Sequence, residues 1–198
     1  TPWNLPLYLL SWKTAPALAM GNTIVAKPSE MTPTTATLLA EVFNGVGAPK
    51  GIFNVIHGLG AEAGAPMCSH PKVKAVSFTG GTTTGRIVAA SAAPQFKKLS
   101  LELGGKNSSI VFADCDFEAT VAGVTRAAFL NQGQICLCGS RILVERSLYT
   151  KFVNALVEKA SAMKVGDPLA EDTDLGALIS LEHREKVEGY IQSAIADG

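Results

Sequence analysis

Apolar positions in the first half of the chain fall into alternating short runs and helical stripes. PWNLPLYLLSWKTAPALAMG opens as an extended X-Pro piece and continues as a helix, apolar near i, i+3 and i+4, that ends at Gly21. NTIVAKP is a short β-branched run stopped by proline. TPTTATLLAEVFNGVG is expected to start with a threonine cap and a proline in the first turn, then keep helical period up to Gly45 and Gly47. GIFNVIHG is a second buried strand, followed by GAEAGAPMCSH, a helix opening on small residues. KAVSFTG is a third strand and TTTGRIVAASAA the helix after it. Strand, glycine turn and helix, repeated three times, predict an α/β fold with a parallel sheet and right-handed crossovers. That is a nucleotide-binding architecture in outline.

The pattern changes around KKLSLELGGKNSSIVFADCD, where a strand pair is broken by Gly104 and Gly105. DFEATVAGVTRAAFLNQG follows as a long helix with an acidic first turn. SRILVERS is then a strand, and LYTKFVNALVEKASAM and SLEHREKVEGYIQSAIADG are amphipathic helices. A lobe boundary is expected near Gly104, dividing the chain into 1–103 and 104–198.

Composition narrows the class. Of 198 residues, 47% are hydrophobic and 17% charged. With a mean hydropathy of +0.23, the chain is apolar in the way a parallel sheet wrapped in helices is. A formal net charge of zero and the lack of any basic run argue against nucleic acid or an anionic membrane surface as partner. The most apolar stretch, Leu5 to Ala26, is broken by Lys13, Pro16, Gly21 and Asn22. It lacks the ~20 uninterrupted apolar residues of a membrane span. The chain opens on Thr1 and ends on a turn signal, which reads as a piece of a longer protein. Four cysteines in 198 residues are no disulfide scaffold, and the three histidines show no zinc spacing. The expectation is reduced thiols, no metal and a cytoplasmic location.

Four stretches carry candidate chemistry. SFTGGTTTGR follows a strand with glycines and opens a helix, whose N-terminal amides and positive dipole end suit pyrophosphate. Its spacing is not the usual G-x-G-x-x-G. VAKPSE sets Lys27 beside Glu30 at a strand end, where a carboxylate can reach ribose hydroxyls; the plain alternative is a solvated lysine and a helix-capping glutamate. LELGGK places Glu102 among Leu99, Leu101 and Leu103, surroundings expected to raise a carboxyl pKa and suit a general base. An edge-strand carboxylate in water is the competing reading. FLNQGQICLCGSR carries Cys136 and Cys138 two apart. By themselves they fit half a metal site, a disulfide remnant, two buried fillers, or one nucleophile and a bystander.

The order PWN, VAKPSE, FTGGTTTG, LELGGK and FLNQGQIC resembles the aldehyde dehydrogenase superfamily across essentially the whole chain. The resemblance implies a Rossmann-like NAD lobe over 1–103 and a catalytic lobe over 104–198, each partial, from a homo-oligomeric parent. It places the nucleophile on Cys136, two positions past the glycine–glutamine pair, the oxyanion-binding amide on Asn4 and the general base on Glu102. Cofactor contacts implied in the same way are Pro2, Trp3, Lys27, Glu30, Gly60, Gly64, Phe78, Gly80, Gly81, Thr82, Thr83, Thr84, Gly85, Leu103 and Gly104.

The implied reaction joins an aldehyde to the Cys136 thiolate, passes hydride from the thiohemiacetal to NAD, and hydrolyses the resulting thioester with Glu102 as base. NQGQICLCGSR and PWNLPLYLLSWK look most like the branch acting on aminomuconate- and hydroxymuconate-type semialdehydes. The family's second acidic motif, the preceding cofactor-lobe strands and the oligomerisation segment fall outside this stretch, so the isolated piece is expected to be inactive. Two alternatives stand beside this reading. One is a non-catalytic binding or scaffold protein; the other is a relative that passes the acyl group to coenzyme A.

Overall fold

The computed structural model describes residues 1–198 and divides them into two compact units, Thr1–Gly104 and Gly105–Gly198. In the first unit the elements run α1 (Pro6–Ala19), β1 (Ile24–Ala26), α2 (Thr34–Gly45), β2 (Phe53–Val55), α3 (Ala65–Ser69), β3 (Ala75–Gly80), α4 (Thr82–Ala92) and β4 (Lys98–Leu103). β1 pairs in parallel with β2, Ile24 opposite Phe53, and β3 in parallel with β4, Ala75 opposite Lys98. Parallel neighbours need a crossover, and α2 and α4 supply it.

The second unit contains β5 (Ser108–Val111), α5 (Phe117–Phe129), β6 (Arg141–Val144), α6 (Tyr149–Ser161) and α7 (Leu181–Asp197). Here β5 pairs in parallel with β6, Ser108 opposite Arg141. The α/β class and parallel strands match the expectation. Instead of one continuous sheet, however, the strands form three two-stranded parallel pairs. Crossover length dictates that neighbours run parallel, but not which pairs go on to share an edge.

Each unit builds its own cores. Leu10, Ala26, Ala36 and Phe53 are buried together, with the rings of Phe43 and Phe53 at 4.9 Å. Cys68, Val76 and Val88 form a second cluster under Phe78 and Leu101. In the other unit, Phe152 is fully buried against Val111, Val121 and Val124, edge-on to Phe117 at 6.3 Å. No helix is long and apolar enough to cross a membrane.

Local expectations fail in four places. Pro33, not a threonine, occupies the N-cap of α2, and no side chain caps that end. The glycine-rich start GAEAG is a wide π-type turn, and α3 begins only at Ala65. Pro66 has no N–H to offer the Glu62 carbonyl, so the α pattern cannot run through it. The helix expected to reach Gly133 stops at Phe129, because Asn131, Gln132 and Gly133 all take left-handed backbone angles, φ 52°, 58° and 73°. Finally, β4 and β5, which flank the diglycine, pair with strands of their own units rather than with each other.

Candidate active site

The carboxyl ends of β1 and β2 border a cleft of about 430 Å³ whose lining includes Pro28, Glu30, Thr37 and His57. Lys27 leaves β1 here with its stem lying along Gly64, whose missing Cβ would sit 3.6 Å from Lys27 Cδ. Lys27 Nζ donates to the carbonyls of Pro28 at 2.7 Å and Gly58 at 3.0 Å. Glu30 pairs with Lys27 at 3.5 Å and stays half exposed, facing the cleft. Lys27 is therefore not the solvated lysine of the alternative reading. Its ammonium is committed to backbone, while Glu30 is open to a ligand. A crevice beyond the carboxyl ends of parallel strands is where such sheets bind nucleosides. Gly60, also expected here, has no atom within 4 Å of its missing Cβ.

Between β3 and α4 the two glycines play different parts. Gly81 is open, with nothing within 4 Å of where a Cβ would lie, and it begins α4 without any side-chain cap. The free amides of that first turn, with exposed Thr82, Thr83 and Thr84, leave room for a phosphate. Gly80 is instead covered by the ring of Phe78, 2.5 Å from its missing Cβ. Gly85 is buried, and Gly104 is exposed past the end of β4.

Glu102 stands on β4 opposite Thr79 of β3. The apolar surroundings expected for it are not there. Side chains alternate along a strand, so Leu101 and Leu103 point to the face opposite Glu102. Both are half buried, whereas Glu102 is exposed. Lys13 of α1 donates to Ser77 Oγ at 2.8 Å, two residues along β3 from Thr79 and on the same strand face. Partial burial lowers the Lys13 pKa, and the nearby Glu102 charge opposes that shift.

Asn4 is half buried, with Pro2 and Trp3, on the bend that enters α1. The next residue, Leu5, has a left-handed φ of 49° immediately before Pro6. Strain of this kind concentrates where a backbone must hold a functional group in place.

In the second unit the left-handed run through Gly133 leads into the cysteine segment. Gln134 ties that run down: its Nε2 donates to Asn131 O at 3.4 Å, and its Oε1 accepts from Ile179 N at 3.4 Å. Cys138 N–H then donates to Ile135 O at 3.1 Å, closing a turn around Cys136 and Leu137. Asn107 Nδ2 donates to Cys136 O at 2.6 Å and reaches Cys138 O at 3.4 Å. Gly139 is buried where a Cβ would run into the Ser109 hydroxyl. The turn separates the thiols: Cys138 is buried at 6% exposure, and Cys136 is half buried. All four cysteines are free thiols.

Asn4 and Glu102 thus belong to the first unit and Cys136 to the second. Two polar residues, Lys13 and Asn107, escaped the reading of the sequence. Lys13 is the single charge in the otherwise uncharged α1, a signal in itself. Asn107 follows the diglycine just before a strand, a position where asparagine side chains often bond to backbone.

A model of the Aldehyde dehydrogenase family matches residues 1–198. A 2-aminomuconic semialdehyde dehydrogenase from Danio rerio is 53% identical over 198 residues, covering 100% of this chain and 41% of that protein. A 2-hydroxymuconic semialdehyde dehydrogenase from Pseudomonas putida is 51% identical over 199 residues, again covering 100% and 41%. A betaine aldehyde dehydrogenase from Staphylococcus aureus, solved in complex with NAD+, superposes with a TM-score of 0.96 at 46% identity, covering 100% of this chain and 39% of that one. The chain spans about two fifths of the length of these relatives.

Proposed function

Because this chain belongs to the aldehyde dehydrogenase family, we propose that it serves an NAD-dependent oxidation of an aldehyde to a carboxylate, with Cys136 as nucleophile. The observation that carries this is the turn that buries Cys138, leaves Cys136 half buried and holds its backbone through Asn107. A covalent nucleophile needs both access and a fixed direction of approach, and of the two thiols only Cys136 combines them.

The first unit fits the dinucleotide. Glu30 beside the cleft suits the adenosine ribose, and the open Gly81 with the uncapped start of α4 suits the pyrophosphate. Bound there, NAD supplies the hydride acceptor. Cys136 attacks the carbonyl carbon as thiolate, and its own N–H stabilises the developing oxyanion, a role the family resemblance also gives to the Asn4 amide. Hydride loss leaves an acyl group on sulfur. The family resemblance gives the proton transfer from the hydrolytic water to Glu102, which is exposed on β4 and reachable by water. The similarity to semialdehyde-oxidising relatives favours a muconate-type semialdehyde as substrate.

The test is NADH formation by the parent protein from a muconate-type semialdehyde, with and without coenzyme A. NADH formed without coenzyme A, together with stoichiometric acid, supports the proposal. Dependence on coenzyme A replaces hydrolysis with acyl transfer. A folded parent that makes no NADH from any aldehyde overturns the proposal in favour of a binding role.

A further inference from the structure

We propose, resting on the thiol chemistry just described, that Asn107 is a positioning residue whose side-chain amide holds the peptide plane following Cys136 and so aims the nucleophile. The directions of a residue's Cβ and N–H are set by the two rigid peptide planes that flank it. For Cys136 both planes are held by hydrogen bonds. The preceding plane carries the Ile135 carbonyl, which accepts from Cys138 N at 3.1 Å. The following plane carries the Cys136 carbonyl, which accepts from Asn107 Nδ2 at 2.6 Å.

Asn107 is itself well anchored. Its backbone carbonyl accepts from Arg141 N at 3.0 Å, where β6 begins beside β5. The amide is thus mounted on a parallel strand pair, while the turn it holds has no ladder of its own. Rigid elements position functional groups more closely than loops do. Without the amide, the Cys136 carbonyl is free to rotate toward water, and with it the dihedral that orients the thiol. A purely structural asparagine would change melting and leave the reactivity of the thiol as it was.

The experiment compares parent protein carrying Asn107→Ala, Asn107→Asp and Asn107→Gln with wild type. Asp matches Asn in shape but, ionised, has no donor; Gln keeps the amide one methylene further out. Three quantities are read: kcat and KM for aldehyde oxidation, the rate and pH midpoint of Cys136 alkylation by iodoacetamide, and the melting temperature. Misplacing a reacting group by 1 Å costs on the order of 100-fold, so kcat should fall roughly 10- to 100-fold in the Ala and Asp variants, with KM within about threefold. The alkylation profile should shift in both, and Gln should recover part of each loss. An alkylation profile in a folded Asn107→Asp protein that overlays wild type overturns the proposal, whatever happens to turnover. Should the parent make no NADH at all, the proposed activity falls, and the alkylation profile still decides the role of Asn107.

Discussion

Gly85 of α4 lies directly on Leu103 of β4: a Cβ added to Gly85 would sit 2.6 Å from Leu103 Cδ2 and 3.1 Å from Cδ1. The absent side chain lets the helix that follows Gly81 rest on the strand that carries Glu102 at the preceding position. Both residues were expected to touch the cofactor. Their direct contact is with each other, which packs α4 on the face of β4 opposite the Glu102 side chain. Overpacking of this kind costs about 1–3 kcal/mol. In the parent protein, Gly85→Ala should therefore lower denaturant stability by that amount. Placed on a Leu103→Ala background, the same change should cost little, because the clashing methyls are gone. Equal costs on both backgrounds would show that the crowding lies elsewhere.

The two thiols should separate cleanly. Cys136→Ala should abolish aldehyde oxidation in the parent, whereas Cys138→Ala should keep most of it. The buried Cys138 acts as a small apolar filler, and its truncation should cost about 1 kcal/mol of stability. Iodoacetamide labelling with peptide mapping should mark Cys136 first and be slowed by aldehyde. Labelling in the opposite order, with activity surviving Cys136→Ala, contradicts the assignment.

Glu102→Gln should spare formation of the acyl group and slow its release. The amide keeps the shape but cannot take a proton from water, and a general base contributes roughly 10²–10⁴-fold. A pre-steady-state burst of NADH should survive while turnover falls by a factor in that range. Equal loss of burst and turnover would place Glu102 in an earlier step.

Glu30 should bias the parent toward NAD over NADP. Its half-exposed carboxylate can accept from ribose hydroxyls, while a 2′-phosphate there meets like charge. Lys27, 3.5 Å away, offsets part of that repulsion. Wild type should therefore show higher kcat/KM with NAD, and Glu30→Gln should narrow the gap. Equal values in wild type count against the site.

Acid stability should depend on Glu145, just past β6. The Ala113 N–H and the Ser147 hydroxyl, each at 2.8 Å, bond its carboxylate and hold its pKa below the usual value. A carboxyl depressed in the folded state stabilises above its unfolded pKa and loses that contribution as pH falls through the folded value. The melting temperature of wild type should exceed that of Glu145→Gln near neutrality, and the two should converge on acidification below about pH 4. A gap that widens toward acid reverses the sign and rules the linkage out.

Much of this was legible in residue order alone. Short β-branched and apolar runs and period 3.6 located all six strands and the main helices, since each is written in neighbours a few residues apart. The succession of motifs from PWN to GQIC carried the family, and with it Asn4, Glu102 and Cys136 as candidates. Even the misread surroundings of Glu102 were written there, because alternation already sends Leu101 and Leu103 to the other face.

What only the tertiary structure decided are relations between distant residues. Asn107 reaches a carbonyl 29 positions away, Gly85 meets Leu103, and Gly139 fits beside Ser109. The fate of the two cysteines belongs here too, since their spacing of two fits either an extended strand or a turn. Three successive left-handed residues and the Asn107 amide select the turn, burying Cys138 and leaving Cys136 within reach. Local sequence sets which faces an element has. Which remote side chain fills a face is settled when the strands pair and the helices close over them, and those pairings have no local period to announce them.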